Sequence, residues 1–303
     1  FKRKIYAFAQ EYFYAPNLWQ KCLALALLPL SLLYCAGVIL KAKFSKTLDF
    51  GIPIISIGNL TLGGSGKTPL GIAILNEFEG GCVVLRGYGR ASKGLVKVAI
   101  SGKILVSVAA SGDEAMEYAK SVKNANVIVS ENRDIAINEA KKMGAKYVLL
   151  DDGFGKFHIK KFNVLIRPSA KPYFDFVLPS GAYRYPSKFY AKADYVVKEG
   201  EDFTRESEII NQTTKMVLVT AIANPQRLEP YFSLCIGREI YPDHYAFSRD
   251  ELAKILAHYG ATSLLVTRKD AVKMEEFGLP LSVIALKTTL ADKFKRIIKE
   301  KIL

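Results

Sequence analysis

The sequence predicts an α/β protein: two α/β/α-type domains, the first a phosphate-loop nucleotide-binding domain with a mainly parallel sheet, preceded by an N-terminal membrane-associated helical segment. Three observations predict it. An apolar β-like run at residues 53–58 leads into a glycine-rich turn and then Lys67-Thr68, which opens a helical pattern over 70–78. Downstream, short apolar runs alternate with helical patterns, as in a parallel sheet covered on both faces. Near the start, residues 22–40 carry no charged side chain. The expected division is 1–48 for the N-terminal segment, 49–160 for the nucleotide-binding domain and 161–303 for a second α/β domain that completes the cleft.

Bulk properties set the frame. A chain of 303 residues, 50% hydrophobic and 24% charged, has material for two cores and none of the composition of a disordered chain. The net charge of +14 calls for a polyanionic partner: nucleic acid, an anionic membrane face or a phosphorylated substrate. No RNA-binding signature or zinc-finger spacing accompanies it, so no nucleic-acid partner is expected. Cys22, Cys35, Cys82 and Cys235 are far apart, which excludes a Cys-x-x-Cys metal or dithiol site. They read as small buried hydrophobes in a reducing compartment.

As a single helix, residues 22–40 would be roughly 28 Å long, close to the hydrocarbon thickness of a bilayer. Pro29 is expected to kink it. Lys2, Arg3 and Lys4 precede the run, and Lys41, Lys43 and Lys46 follow it. Positive charge on both flanks gives no inside–outside bias. A helix or bent hairpin lying in an anionic leaflet satisfies both clusters.

The phosphate loop is the strongest local signal. Glycines let backbone N–H groups converge on phosphate oxygens, and the following helix turns its positive dipole end toward the same anion. Thr61, Leu62, Gly63, Gly64, Ser65, Gly66, Lys67 and Thr68 are the expected nucleotide-binding residues. Lys67 would reach the β- and γ-phosphates and the Thr68 hydroxyl would ligate Mg²⁺, with ATP as the nucleotide. Thr61 stands where the usual pattern has its first glycine.

The remaining elements follow in order. A buried strand at 81–85 ends at Arg86. Residues 95–101 and 104–109 read as a hairpin turning at Gly102-Lys103. Ser111 starts a helix to about 123, with Ser111-Gly-Asp-Glu114 resembling a capping box. Strand 126–130, helix 132–143 stopped by Gly144, and strand 146–150 come next. That strand runs into Asp151-Asp152-Gly153, where nucleotide-binding sheets place a magnesium-directed carboxylate. Asp152 is ranked above Asp151 for the metal, with Glu114 in support. Strands are expected at 163–167, 194–198, 216–220, 262–267 and 281–286, and helices at 248–259, 270–277 and 290–302. Between 168 and 186 lies a Pro- and aromatic-rich stretch that reads as a functional loop.

Two functional classes suit a phosphate loop. A GTPase-like switch has faint support from Asp152-Gly-Phe-Gly155 and Thr267-Arg-Lys-Asp270, which approach Asp-x-x-Gly and Asn-Lys-x-Asp. A kinase is favoured by a further set of motifs spread over nearly the whole chain: Ser56-Ile-Gly-Asn-Leu-Thr-Leu-Gly-Gly-Ser-Gly-Lys-Thr-Pro69, Leu85-Arg-Gly-Tyr88, Gly112-Asp-Glu114, Glu131-Asn-Arg133, Leu150-Asp-Asp-Gly-Phe154, Leu178-Pro-Ser-Gly181 with Arg184, Ala223-Asn-Pro225, Pro242-Asp-His244 and Lys269-Asp270. Together and in this order they resemble the lipid A tetraacyldisaccharide 4′-kinase family.

That resemblance implies transfer of the ATP γ-phosphoryl group to the 4′-hydroxyl of a lipid A disaccharide precursor. It also implies work at the cytoplasmic face of the bacterial inner membrane, as a peripheral or monotopic protein on an anionic surface. No feature calls for an obligatory protein partner. A sugar hydroxyl is a poor nucleophile and needs a positioned base. The family's Asp–His pair falls on Asp113 and His244, which with Lys67 form the expected catalytic set. Asn59, Arg86, Arg133 and Arg184 are the expected substrate contacts. The family typically continues Gln-His after Asp-Asp-Gly-Phe, where this chain has Gly155-Lys156. It often has Thr-Glu-Lys-Asp where this chain has Thr267-Arg-Lys-Asp270.

Overall fold

A computed structural model describes residues 2–63, 65–168, 170–222 and 225–303, with side chains from Phe8 onward. Three helices lead: α1 (Lys2–Tyr14), α2 (Leu18–Ala26) and α3 (Leu28–Phe44). Then come β1 (Ile54–Gly58), α4 (Lys67–Glu77), β2 (Gly81–Leu85), β3 (Val96–Ile100), β4 (Lys103–Ile104), α5 (Val108–Ser111), α6 (Asp113–Ser121), β5 (Asn126–Val129), α7 (Arg133–Lys142), β6 (Tyr147–Asp151), β7 (Phe162–Ile166) and β8 (Tyr195–Val197). The rest comprises β9 (Phe203–Ile210), β10 (Met216–Thr220), β11 (Cys235–Ile240), α8 (Arg249–Tyr259), β12 (Ser263–Thr267), α9 (Arg268–Met274), β13 (Leu281–Leu290) and α10 (Asp292–Ile302).

Two sheets organise these elements. The first has the order β4-β3-β5-β2-β6-β1-β7-β8, and the second β11-β10-β12-β13-β9. Pairing in the first is parallel except at β3 with its neighbours. In the second only β9 runs antiparallel. β1, β6 and β10 are buried along their whole length, which explains their unbroken apolar sequence. One face of the first sheet buries Leu70 and Ile74 of α4 together with Tyr118 of α6, and the other packs Ala136, Ile137 and Ala140 of α7.

The sheets divide elsewhere than the expected boundary at 160/161. β7 and β8 extend the first sheet, and the chain crosses to the second sheet only between Val197 and Phe203. The last helix then returns, because Phe294 and Ile298 complete the core of the first sheet. Apolar periodicity registers each strand but not the sheet it joins.

Two local expectations are corrected. The second arm of the 95–109 hairpin is only two residues long, since residues 108–111 turn into α5. Ser111 does not cap α6: its hydroxyl bonds the carbonyls of Ser107, Val108 and Gly112, and the N-cap is Gly112 at φ 82°. Asp113 thereby becomes the first residue of α6.

Residues 22–40 are not one helix. The break falls at Leu27, α2 and α3 meet at 52°, and Pro29 sits in the first turn of α3, where a missing N–H costs little. No single helix among the described residues is long and apolar enough to cross a membrane; the bent pair meets the test by length and composition. One side of α3 packs Cys35, Val38, Ile39 and Ala42 against Leu60, Phe154 and Tyr183. The Ser31 hydroxyl bonds Ser180 Oγ (2.8 Å), and the Tyr34 hydroxyl donates to the Arg184 carbonyl (3.0 Å). Leu18, Trp19, Leu25, Leu30, Leu32, Leu33 and Phe44 point away from the protein, each more than half exposed.

Candidate active site

The loop after β1 is built for an anion. Gly63 (φ 98°) and Gly66 (φ 80°) occupy the left-handed region, and Gly66 caps α4 with no side-chain acceptor of its own. Gly64 lies outside the described residues. Thr61 needs no glycine, because it pairs in extended conformation with Tyr183, and Leu62 N–H bonds the Ala182 carbonyl (2.8 Å). The phosphate loop is thus pinned to the 168–186 stretch, which is itself held by α3.

Asn59 is fully buried at the root of the loop. Its Oδ1 accepts from Lys67 Nζ (3.2 Å) and from Arg184 Nη2 (2.7 Å). Arg184 also forks onto both oxygens of Asp152 (2.8 and 2.9 Å), and Lys67 lies 3.7 Å from the same carboxylate. Burial would raise the Asp152 pKa, but Lys67 and Arg184 outweigh it and hold the group at about 2.

Asp151, at the end of β6, is in a different state. Thr68 Oγ1 donates to its Oδ2 (3.3 Å), as does the buried Tyr118 hydroxyl (3.1 Å). Burial, followed by the charge of Glu114, pushes its pKa up to about 7. The two carboxylates therefore sit in different settings. Asp152 is neutralised by an arginine fork, whereas Asp151 stands beside Thr68 with its charge undercompensated. Gly71 makes this possible, since a Cβ there would lie 2.0 Å from the Tyr118 hydroxyl.

A second cluster joins the two sheets. Asp113 opens α6, and His244 follows β11 at φ 60°, with its N–H bonding the Ala221 carbonyl (3.3 Å). His244 Nδ1 contacts both oxygens of Asp113 at 2.9 and 3.0 Å. Lys269 Nζ lies 3.7 Å from Asp113 and 3.0 Å from Asp243. Burial opposes the Asp113 charge, yet the His244 hydrogen bond and Lys269 bring its pKa to about 2. The Asp113 hydrogen bond raises the His244 pKa in return. Tyr88 tilts against the His244 ring with centroids 5.1 Å apart. Sequence reasoning assigned no role to Lys269 or Tyr88, although both lie in quoted motifs.

A cleft of about 1070 Å³ is lined by Ser65–Thr68 and Glu114 on one side and by Arg268, Lys269 and β13 on the other; of the second cluster Lys269 reaches it. Arg86 is exposed at the end of β2. Arg133 is not an exposed contact: it is buried, and its Nη1 donates to the Ser130 carbonyl. Its neighbours Asp151 and Asp152 partly offset the burial that lowers its pKa to about 10. Of the Ala223-Asn-Pro225 motif, Ala223 and Asn224 lie outside the described residues. Gly155 makes room for Tyr185, whose hydroxyl would sit 2.1 Å from any Cβ at that position.

The guanine-reading alternative fails on Asp270. This carboxylate is fully buried and engaged by Thr220 Oγ1 (2.9 Å), Thr267 Oγ1 (2.9 Å), Ala221 N–H (3.2 Å) and Lys273 Nζ (2.9 Å). It holds the Thr220–Ala221 turn, whose Ala221 carbonyl accepts from His244 N–H, and at 0% exposure it is closed to a base. Asp270→Ala is expected to destabilise the protein by about 3–5 kcal/mol, because it strands Lys273 and two buried donors. Denaturant unfolding checks this.

A phosphate loop at the carboxyl edge of a parallel sheet, a buried carboxylate beside its threonine and an Asp–His pair joining the two sheets define a P-loop phosphotransferase. The profile of the family described as tetraacyldisaccharide-1-P 4′-kinase matches residues 23–216 and 200–303. A tetraacyldisaccharide 4′-kinase of Campylobacter jejuni subsp. doylei is 48% identical over 303 residues, covering 99% of this chain and 98% of its own. One of Helicobacter pylori is 48% identical over 287 residues, 94% of this chain and 92% of its own. A crystal structure of Aquifex aeolicus LpxK, described as an "apo" form in complex with ATP, matches with a TM-score of 0.77 at 26% identity, over 93% of this chain and all of that one. The chain belongs to the tetraacyldisaccharide-1-P 4′-kinase family, and it is an ATP-using kinase.

Proposed function

We propose that the protein transfers the γ-phosphoryl group of ATP to the 4′-hydroxyl of a tetraacyldisaccharide 1-phosphate, a lipid A precursor. The observation that carries this reading is how the two clusters meet: Lys269 lines the same cleft as the phosphate loop, and its ammonium lies 3.7 Å from Asp113, whose carboxylate His244 contacts. The backbone from Gly63 to Thr68 and the Lys67 ammonium hold the nucleotide's phosphates. Asp113 receives the sugar hydroxyl's proton, and His244 orients the carboxylate through Nδ1. A carboxylate of such low basicity suffices, because phosphoryl transfer passes through a loose transition state in which the nucleophile's proton leaves late. Lys269 balances the charge of Asp113 and Asp243. Arg86 and Arg184 offer positive charge toward the acceptor's phosphate, with Arg184 fixed by Asn59 and Asp152.

The donor set suits Mg²⁺. Thr68 Oγ1 and Asp151 Oδ2 are hard oxygens 3.3 Å apart. Thr68 and Asp151 would hold the ion, with Glu114 and Asp152 close by. When bound, it neutralises charge on the β- and γ-phosphate oxygens.

The acceptor is amphiphilic, and the protein has a matching surface. The outward apolar side chains of α2 and α3, flanked by Lys41, Lys43 and Lys46, support a reading in which these helices lie in the anionic cytoplasmic leaflet of the inner membrane. Each such side chain is worth about 1.5–3 kcal/mol when buried in an apolar medium. The double variant Trp19→Glu, Leu33→Glu is expected to cosediment with anionic vesicles at least about tenfold less than the wild type; unchanged sedimentation would count against the placement. The activity itself is tested by ATP-dependent labelling of a disaccharide monophosphate lipid. GTP and a water-soluble sugar are the controls, and both should be poor substitutes.

A further inference from the structure

The cleft contains a cation that the chemistry above leaves unused. Arg205 lies on β9, a few residues past the crossing from the first sheet to the second. Its guanidinium rests on the phosphate loop: a Cβ on Gly66 would meet Arg205 Nη1 at 2.2 Å and Cζ at 3.2 Å. Gly66 is the N-cap of α4, so Arg205 and Lys67 both stand at the positive end of that helix. A helix N-terminus with cations beside it is where a phosphate is held. An independent sign of an absent ligand lies alongside. Ser65 is more than nine-tenths buried, and its Oγ has no hydrogen-bond partner among the described residues.

Glu199 governs how the arginine is presented. Arg205 Nε donates to Glu199 Oε1 (2.7 Å), and Nη2 donates to Oε2. One edge of the guanidinium is thus taken by a carboxylate, and Nη1 is directed at the loop backbone. The Arg205 guanidinium also lies 5.5 Å over the Phe203 ring. Arg205, Glu199 and Ser65–Thr68 line the same cleft. A planar fork with one edge anchored and the other turned to a backbone nest is the arrangement that reads phosphate oxygens.

We propose that Arg205 is a ligand of the nucleotide's polyphosphate, delivered from the second sheet and aimed by Glu199. The proposal rests on the phosphate-loop reading. It adds a contact across the crossing, so that a residue of the second sheet shares the nucleotide with the loop of the first. Glu199 acts as a positioning residue: it keeps Nε and Nη2 while Nη1 turns to the phosphates.

The test is competition of ATP, ADP and adenosine against a fluorescent ATP analogue, on the full chain. Arg205→Ala is expected to weaken ATP and ADP by about tenfold to a hundredfold, the range for loss of a charge-assisted hydrogen bond. Adenosine binding should be unchanged. Arg205→Lys, which keeps the charge and loses the fork, should fall between the two. Glu199→Gln should weaken ATP less than Arg205→Ala does. Equal losses for ATP and adenosine, or wild-type ATP binding in Arg205→Ala and Arg205→Lys, would overturn the proposal. Failure of the underlying reading looks different: the wild type itself would then bind ATP no better than adenosine, and Lys67→Ala would change nothing.

Discussion

Lys67→Ala lowers kcat by at least about a hundredfold, equivalent to about 2.7 kcal/mol of transition-state stabilisation. Lys67 is the first residue of α4, and its ammonium bonds Asn59 and lies near Asp152. It therefore stands between the carboxyl edge of the first sheet and the place of the phosphates. In phosphoryl transfer, charge builds on the equatorial and leaving oxygens, and a fixed cation in a water-poor cleft acts on that charge directly. The alanine variant also frees Asp152 of one counter-charge, although Arg184 still holds it at two points. The loss should therefore appear in turnover with little change in thermal stability. Steady-state labelling of the lipid acceptor measures it, and wild-type turnover would remove Lys67 from the catalytic set.

Asp113→Ala is expected to cost at least about a hundredfold in kcat as well, by a different route. The substitution removes the acceptor for the hydroxyl proton, a role worth 10²–10⁴ in comparable sites. It also removes the link between α6 and the His244 loop and leaves Lys269 with Asp243 alone. Asp113→Asn separates the two effects. It retains a polar partner for His244 but cannot take up a proton, so it should be as slow as alanine while folding as the wild type does. His244→Ala should be the milder variant, about tenfold to a hundredfold slower, since it touches the reaction only through Asp113. Combining it with Asp113→Ala should add little, because residues that act as a unit are not additive. A double variant slower by the full product of the single losses would contradict the pairing.

Where strands are buried on both faces, the sequence announced them. β10 at Met216–Thr220 falls where the apolar run placed it, and β1 begins one residue inside its run. Two strands escaped. β9 reads Phe-Thr-Arg-Glu-Ser-Glu-Ile-Ile and β11 reads Cys-Ile-Gly-Arg-Glu-Ile, and both are edge strands of the second sheet. An edge strand packs on fewer neighbours, so charge is tolerated and the apolar signal disappears. The helix starting at Ser111 was misplaced because a capping-box pattern competes with a turn that glycine closes more easily.

The phosphate loop needed only the order of its own residues, since its glycines, Lys67 and Thr68 act through a contiguous stretch of backbone. The apolar N-terminal run and the positive charge of the chain were equally plain. Folding decided which groups meet. Asp113 and His244 are 131 residues apart, Thr68 and Asp151 are 83 apart, and Arg184 reaches Asn59 across 125. The difference between Asp151 and Asp152 is also a tertiary matter. Adjacent in sequence and identical in type, they part company because one accepts from a threonine and a tyrosine and the other is clamped by an arginine and approached by a lysine. Their ionisation depends on local burial and on neighbouring charge, which chain order alone does not encode.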